Sequence, residues 1–290
     1  MKLVRNLLIG LVGVIALLIA AGWGVFRYVI FTRLPERGAP AAIAGPYEVV
    51  MEPAFGSPEN VVYRPASLDA FPDADTLPVL AWANGGCLAD SAGYAGFLTT
   101  IASHGVLVVT SAAHEGEPLA RTTSEVIIAG VAWAEAENAR AASPLYGKIA
   151  ADKVAVMGQS CGGELTMQLA GDPRINAIGM WNAGVGVPAA LSRIHSPVLY
   201  VNGGERDLMA SASEADFEAI DHVPAFYASR YGGGHLGTLT HAGGGEFANV
   251  ASAWLLWRLK GDAEAGRMFT SPDCSLCVDP NWDVRSNGFE

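Results

Sequence analysis

A chain of 290 residues, 51% hydrophobic and 16% charged, can bury one large core or two small ones, and its length favours one α/β-sized domain with extensions. The first 37 residues hold five Lys/Arg and one acid, Glu36, which leaves 13 basic against 28 acidic residues and a formal charge of −15 on the remainder. An acidic surface of that size serves solubility and argues against nucleic acid and polyanionic substrates as partners.

The chain opens with Lys2 and Arg5, and then Leu7 to Phe26 run without a charge. At 1.5 Å rise, about 20 residues suffice to cross the hydrocarbon of a bilayer. A cleaved signal peptide and a retained signal anchor both fit residues 1–32. The apolar run is longer than a signal core, and the aromatics Trp23, Phe26, Tyr28 and Phe31 follow in place of a small-residue cleavage site. The expectation is a single-pass anchor in the cell membrane with the remaining chain on the extracytoplasmic side, the alternative being secretion after cleavage. Residues 33–46, with Pro35, Pro40 and Pro46, read as a linker.

From residue 47 to 262 strand-like and helix-like segments alternate. Pro78 to Asn84 is a short apolar strand, Gly93 to His104 a helix, Val106 to Thr110 a second strand, and Ser124 to Ala142 a long helix with Ser124 as its cap. Strands follow at 153–157, 177–181, 198–202 and 225–229, with helices at 163–170, 213–221 and 246–260. Continuous apolar strands separated by helices predict a mostly parallel sheet covered on both faces, with sites beyond the carboxyl ends of its strands. Residues 263–290 are left as a C-terminal tail. The glycine runs 232–234 and 243–245 lack the strand, turn and helix order of a phosphate cradle, so no cofactor is expected.

The most informative stretch is Gly158-Gln159-Ser160-Cys161-Gly162, a Gly-x-Ser-x-Gly motif between the apolar run Lys153 to Met157 and a helix. Such spacing sets a serine on a crowded strand-to-helix turn, the nucleophile elbow of an α/β-hydrolase fold. A serine hydroxyl needs a base to take its proton and a carboxylate to orient that base, in the chain order Ser, Asp/Glu, His. His235, delivered by the loop after strand 225–229, is the expected base, with His241 its competitor. Asp207, in the exit loop of strand 198–202, is the expected acid, with Glu205 second; Asp216 and Asp221 read as surface charge. The oxyanion needs two N–H donors, expected from Cys161 and from Cys87 or Gly86 in the turn Asn84-Gly85-Gly86-Cys87. Trp181, at a strand's carboxyl end, and Tyr94 or Phe97, after the oxyanion turn, could line a substrate subsite, with core packing the alternative for each. Only some fifteen residues separate strand 177–181 from Pro197, too few for a helical lid.

Together NGGC (84–87), IASHG (101–105) with VLVVT, GQSCGG (158–163), GERD (204–207) and GGGH (232–235) resemble the bacterial lipase and cutinase-like branch of the α/β-hydrolases. That branch includes poly(ethylene terephthalate) hydrolases, dienelactone hydrolases and chlorophyllase-type esterases. The likeness spans about residues 45 to 262 and implies an α/β-hydrolase fold and a serine hydrolase cleaving small-molecule or polymeric carboxylic esters through an acyl-enzyme. An acyltransferase or peptidase with the same triad, and an inactive hydrolase-fold binding module, are the alternatives. Where cutinase-like enzymes carry an aromatic residue in the oxyanion turn and Met or His after the nucleophile, this chain has Cys87 and Cys161, a departure that bears on the polyester subsite.

If Cys87 and Cys161 each supply an oxyanion amide, their backbones must converge to a separation that a disulfide can span. A bridge between them fits, the alternative being two small buried thiols, and Cys274 and Cys277 could close a second one; two thiols alone lack the further ligands of a zinc site, so no metal is expected. Four cysteines are consistent with an oxidising compartment.

Overall fold

The computed structural model describes residues 40–73, 75–270 and 273–289. The expected anchor, residues 1–32, and the start of the linker lie outside the described residues. Among the described residues no helix is long and apolar enough to cross a membrane.

Nine strands form one sheet: β1 (Val49–Pro53), β2 (Asn60–Pro65), β3 (Leu77–Ala83), β4 (Leu107–Ser111), β5 (Ile149–Gln159), β6 (Ile175–Trp181), β7 (Val198–Asn202), β8 (Ala225–Arg230) and β9 (Trp282–Asn287). Their order is β1-β2-β4-β3-β5-β6-β7-β8-β9. The six strands from β4 across to β8 pair in parallel, while β1, β2 and β9 add antiparallel edges. The helices are α1 (Ala95–Ser103), α2 (Ser124–Ala139), α3 (Cys161–Leu169), α4 (Pro188–Leu191), α5 (Ala210–Ala219), α6 (Gly245–Lys260) and α7 (Ala263–Gly266).

The central strands carry continuous apolar runs because both faces are covered there, and the two-residue pleat sorts their side chains between two cores. Val79, Ala81, Val154, Val156, Val198 and Tyr200 face one layer, which holds Ile127 and Val131 of α2, Leu165 of α3 and Phe217 of α5. Leu80, Trp82, Ala155, Met157, Leu199 and Val201 face the other, packed by Phe97 and Ile101 of α1 and Phe247 and Trp254 of α6. Burying a large apolar side chain contributes roughly 1.5–3 kcal/mol, so these two layers hold the sheet and fix where its carboxyl ends converge.

Several expectations change. Ser124 does not cap α2: Thr123 precedes the helix, and Ser124 Oγ lies in its first turn and donates to Gln168 Oε1 (2.8 Å). Asp216 is not surface charge: it is 1% exposed and accepts the N–H groups of Val185 (2.6 Å) and Gly186 (2.8 Å), holding the loop after β6 onto α5. Burial pushes its carboxyl above the ordinary value, against the pull of those N–H donors. The segment read as a tail contributes β9, which pairs with β8 and buries Trp282. At the other end Ile43 N–H donates to Asn249 Oδ1 (2.7 Å) and Gly45 N–H to Ser103 Oγ (2.8 Å), so the last residues of the expected linker lie along α6 and α1.

Candidate active site

Ser160 stands between β5 and α3 with φ 52° and ψ −120°, a backbone conformation that L-residues adopt only where the surroundings enforce it. The crowding is visible at the flanking glycines. A Cβ on Gly158 would lie 2.2 Å from the carbonyl oxygen of Gly162, and one on Gly162 would lie 2.1 Å from that of Ala83. No larger residue fits either place without moving backbone. The Ser160 N–H donates to the Trp181 carbonyl (3.0 Å), tying the turn to the end of β6.

Three residues from three different loops meet there. His235 Nε2 lies 2.9 Å from Ser160 Oγ, and His235 Nδ1 lies 2.8 Å from Asp207 Oδ1. The Asp207 carboxylate is saturated with donors: Asn182 Nδ2 (2.7 Å) and the N–H of Gly203 (3.1 Å) reach Oδ2, and the N–H of Met209 (3.0 Å) reaches Oδ1. Burial alone would raise this carboxyl, but the hydrogen bonds from His235, Met209, Asn182 and Gly203 outweigh it and hold it below the ordinary value. An ionised carboxylate on Nδ1 keeps the proton on that nitrogen and leaves Nε2 as an acceptor facing the serine hydroxyl. Chemically, the arrangement can activate a hydroxyl for attack on an electrophilic carbon and return the proton to a leaving group.

The other histidines are elsewhere. His195 Nε2 pairs with the Asp172 carbonyl and His222 Nε2 with that of Ile194, while His241 precedes the turn that leads into α6. Glu205 is exposed, 3.5 Å from the Gly232 N–H.

Cys87 and Cys161 form a disulfide with Cα atoms 5.2 Å apart, and Cys274 is bonded to Cys277. The first bridge joins the turn after β3 to the opening residue of α3. Cys161 begins that helix, so its N–H has no partner within the helix. Cys87 itself has φ 50° and Gly86 φ 65°, a left-handed pair that turns the chain sharply beside the elbow. The Cys87 carbonyl accepts from the Thr122 N–H (2.9 Å).

Core packing, the alternative for each aromatic candidate, describes Trp181 and Phe97, while Tyr94 is tied to the turn after β3. Trp181 is fully buried, its ring 5.5 Å from Phe97 and 5.5 Å from Phe247, and offers no surface to a substrate. Phe97 is equally buried. Tyr94 directs its hydroxyl inward: it accepts from the Gly85 N–H (3.0 Å) and donates to Gln159 Oε1 (2.9 Å), and burial of that hydroxyl pushes the phenol up to about 12. The exposed apolar side chains on loops that follow the strands' carboxyl ends include Leu119, Val187, Leu208 and Tyr231.

Two residues that sequence reasoning missed organise the site. Gln159 joins the turn after β3 to the histidine loop, accepting from Tyr94 and donating from Nε2 to the His235 carbonyl (2.9 Å). Asn182, with φ 47°, donates to both Asp207 and the Gly234 carbonyl (3.1 Å). The signal for Asn182 was available: it follows β6 at the carboxyl edge of the sheet, where sites form. The connection from β6 to β7 carries only the four-residue α4, too short for a helical lid at this point. Among the described residues no group of three or more His, Cys, Asp or Glu side chains is arranged to hold a metal ion.

A family model described as PETase: PET hydrolase-like matches residues 51–276. No curated protein matches the sequence.

Proposed function

The chain belongs to the PET hydrolase-like family of the α/β-hydrolases, and we propose that it is a serine hydrolase cleaving carboxylic esters through an acyl-enzyme on Ser160. Ser160 Oγ attacks the ester carbonyl while His235 Nε2 takes its proton. The tetrahedral oxyanion is received by the N–H of Cys161 and by an N–H of the turn at Gly86 and Cys87. His235 then passes the proton to the departing alcohol, leaving an acyl-serine. Water enters, gives its proton to His235 and releases the carboxylic acid, and the proton returns to Ser160. Asp207 stays ionised throughout and steadies the imidazolium.

The observation that carries this reading is the unbroken chain of hydrogen bonds at 2.9 and 2.8 Å from serine to histidine to aspartate. The family match supports a small-molecule or polymeric ester as the substrate. Fluorophosphonate labelling tests it, because that reagent reacts only with an activated serine. Wild-type protein should be labelled at Ser160 and hydrolyse 4-nitrophenyl esters. Absence of both would reject the proposal.

The catalytic domain is also proposed to lie outside the cytoplasm, anchored through the uncharged run Leu7 to Phe26. Two disulfides suit an oxidising compartment and support the export. Retention in the membrane pellet after carbonate extraction is the expected result; a mature N-terminus near Ala21 or Ala42 would instead mean cleavage.

A further inference from the structure

Arg121 is fastened beside the oxyanion turn by backbone. The Ala89 N–H donates to the Ala120 carbonyl (2.8 Å), the Thr122 N–H donates to the Cys87 carbonyl (2.9 Å), and Leu88 and Arg121 form an antiparallel bridge. Its position is therefore set by the same turn that flanks the serine. The guanidinium reaches across to the elbow, with Nη2 3.8 Å from Cys161 Sγ. Several other described arginines face carboxylates, as Arg64 meets Glu52, Arg174 meets Asp172 and Arg285 meets Glu214, while Arg258 packs over the ring of Trp257. Arg121 is exposed and has no Asp or Glu within ion-pair distance among the described residues. A guanidinium offers five donors in a planar fork that matches a carboxylate, and a sulfur contact engages only one of them.

The sheet order says which limb of an ester would meet it. Along β4-β3-β5-β6-β7-β8 the serine follows β5, the histidine loop follows β8 and Arg121 lies in the loop after β4. Arg121 and His235 thus stand on opposite flanks of Ser160. His235 must face the departing alcohol in order to protonate it, so the acyl limb extends toward Arg121. Leu119, two residues before it and 69% exposed, supplies apolar surface for the stem of such a limb.

We propose that Arg121 is a specificity-determining residue that receives a carboxylate on the acyl limb of the substrate, favouring half-esters of dicarboxylic acids over neutral esters of the same shape. The inference rests on the esterase reading above and adds the substrate class to it. The chemistry is unchanged: the same ester bond is cleaved, and the second carboxylate is held without reacting.

The test compares mono-4-nitrophenyl adipate with 4-nitrophenyl 6-methylheptanoate, in which an isopropyl group replaces the carboxylate, using full-length wild type, Arg121→Gln and Arg121→Lys. The ratio of kcat/KM values, adipate over neutral ester, should fall roughly five- to tenfold in Arg121→Gln, as for loss of one partly exposed charged contact. It should fall less in Arg121→Lys, which keeps the charge and loses the fork. In wild type the same ratio should drop as salt rises, because screening weakens an exposed pair and leaves the neutral ester untouched. This salt series decides the matter even where a variant folds poorly. A ratio insensitive to both Arg121→Gln and salt overturns the role of Arg121 while leaving the esterase standing. Hydrolysis of neither ester overturns the esterase reading and this inference with it.

Discussion

Gln159 donates from Nε2 to the backbone carbonyl of His235 at 2.9 Å, so the residue before the serine fixes the loop that brings the histidine to it. Its Oε1 accepts from Tyr94, whose hydroxyl accepts in turn from Gly85 N–H. One buried amide thereby links the turn after β3, the elbow and the histidine loop.

Replacing Gln159 with Leu keeps the bulk, removes the donor and leaves the His235 carbonyl without it. A lost buried hydrogen bond of this kind costs about 1–3 kcal/mol, and tenfold in rate corresponds to about 1.4 kcal/mol. The expected result is a kcat lower by about tenfold or more, with KM little changed, since the side chain aligns the base and touches no substrate. Tyr94→Phe should cost less, and the double variant should show coupling because the two residues share one network. Additive losses in that cycle would count against a shared network.

The second prediction separates the reacting residues from their support. Ser160→Ala and His235→Ala should each lower kcat by about 10⁴ or more with the fold intact, because a set of this kind fails as a unit. Asn182→Ala removes one of four donors to Asp207 and should lower kcat by about 10- to 100-fold. Steady-state kinetics on a 4-nitrophenyl ester gives the ordering. An Asn182→Ala enzyme as inactive as Ser160→Ala would show that the amide is more than support.

What could be read in advance followed from signals local in sequence. The strands β3, β4 and β7 are buried at every position and carry continuous apolar runs, Leu77 to Ala83, Leu107 to Val109 and Val198 to Val201, which are visible without a partner. The edge strand β9 escapes notice because only one face is covered: Trp282 is buried while Asp283 and Arg285 are polar, so the segment reads as a tail. For Trp181 the structure decides between the two readings in favour of core packing. Its backbone ends at the carboxyl edge, but its side chain points into the layer of Phe97 and Phe247. Gln159 escapes notice because its partner His235 is 76 residues away; Asn182 is marked by its place after β6 at the carboxyl edge, but nothing in a linear sequence marks its pairing with Asp207, 25 residues on.

The depressed carboxyl of Asp207 makes a prediction about acid. Its native state binds fewer protons than the unfolded chain between the folded and unfolded values, so stability rises with pH there. The contribution is complete above the ordinary carboxylate value of 3.8 and is lost as pH falls through the lower folded value. Denaturant unfolding of wild type and Asp207→Asn should therefore diverge most at neutral pH and converge as the solution is acidified. A gap independent of pH would mean that the ionised carboxylate contributes nothing to the difference.

The Cys87–Cys161 bridge joins two residues proposed to place oxyanion donors, and its loss should be read first in turnover. It closes a separation of 74 residues. On the chain-entropy account a loop of that length contributes about 4 kcal/mol, so reduction or Cys87→Ser should also lower the unfolding midpoint. Those two effects have different origins and can be measured apart. At a temperature well below the midpoint, where the far-ultraviolet circular dichroism of oxidised and Cys87→Ser proteins coincides, kcat should still be about tenfold or more lower in the variant. KM should change little, because the donors act on charge that develops in the transition state. The Cys274–Cys277 bridge lies on the segment leading to β9 and closes a separation of only 3, so Cys274→Ser should leave kcat alone. Equal kcat for the oxidised protein and Cys87→Ser would reduce the first bridge to a clasp between two loops.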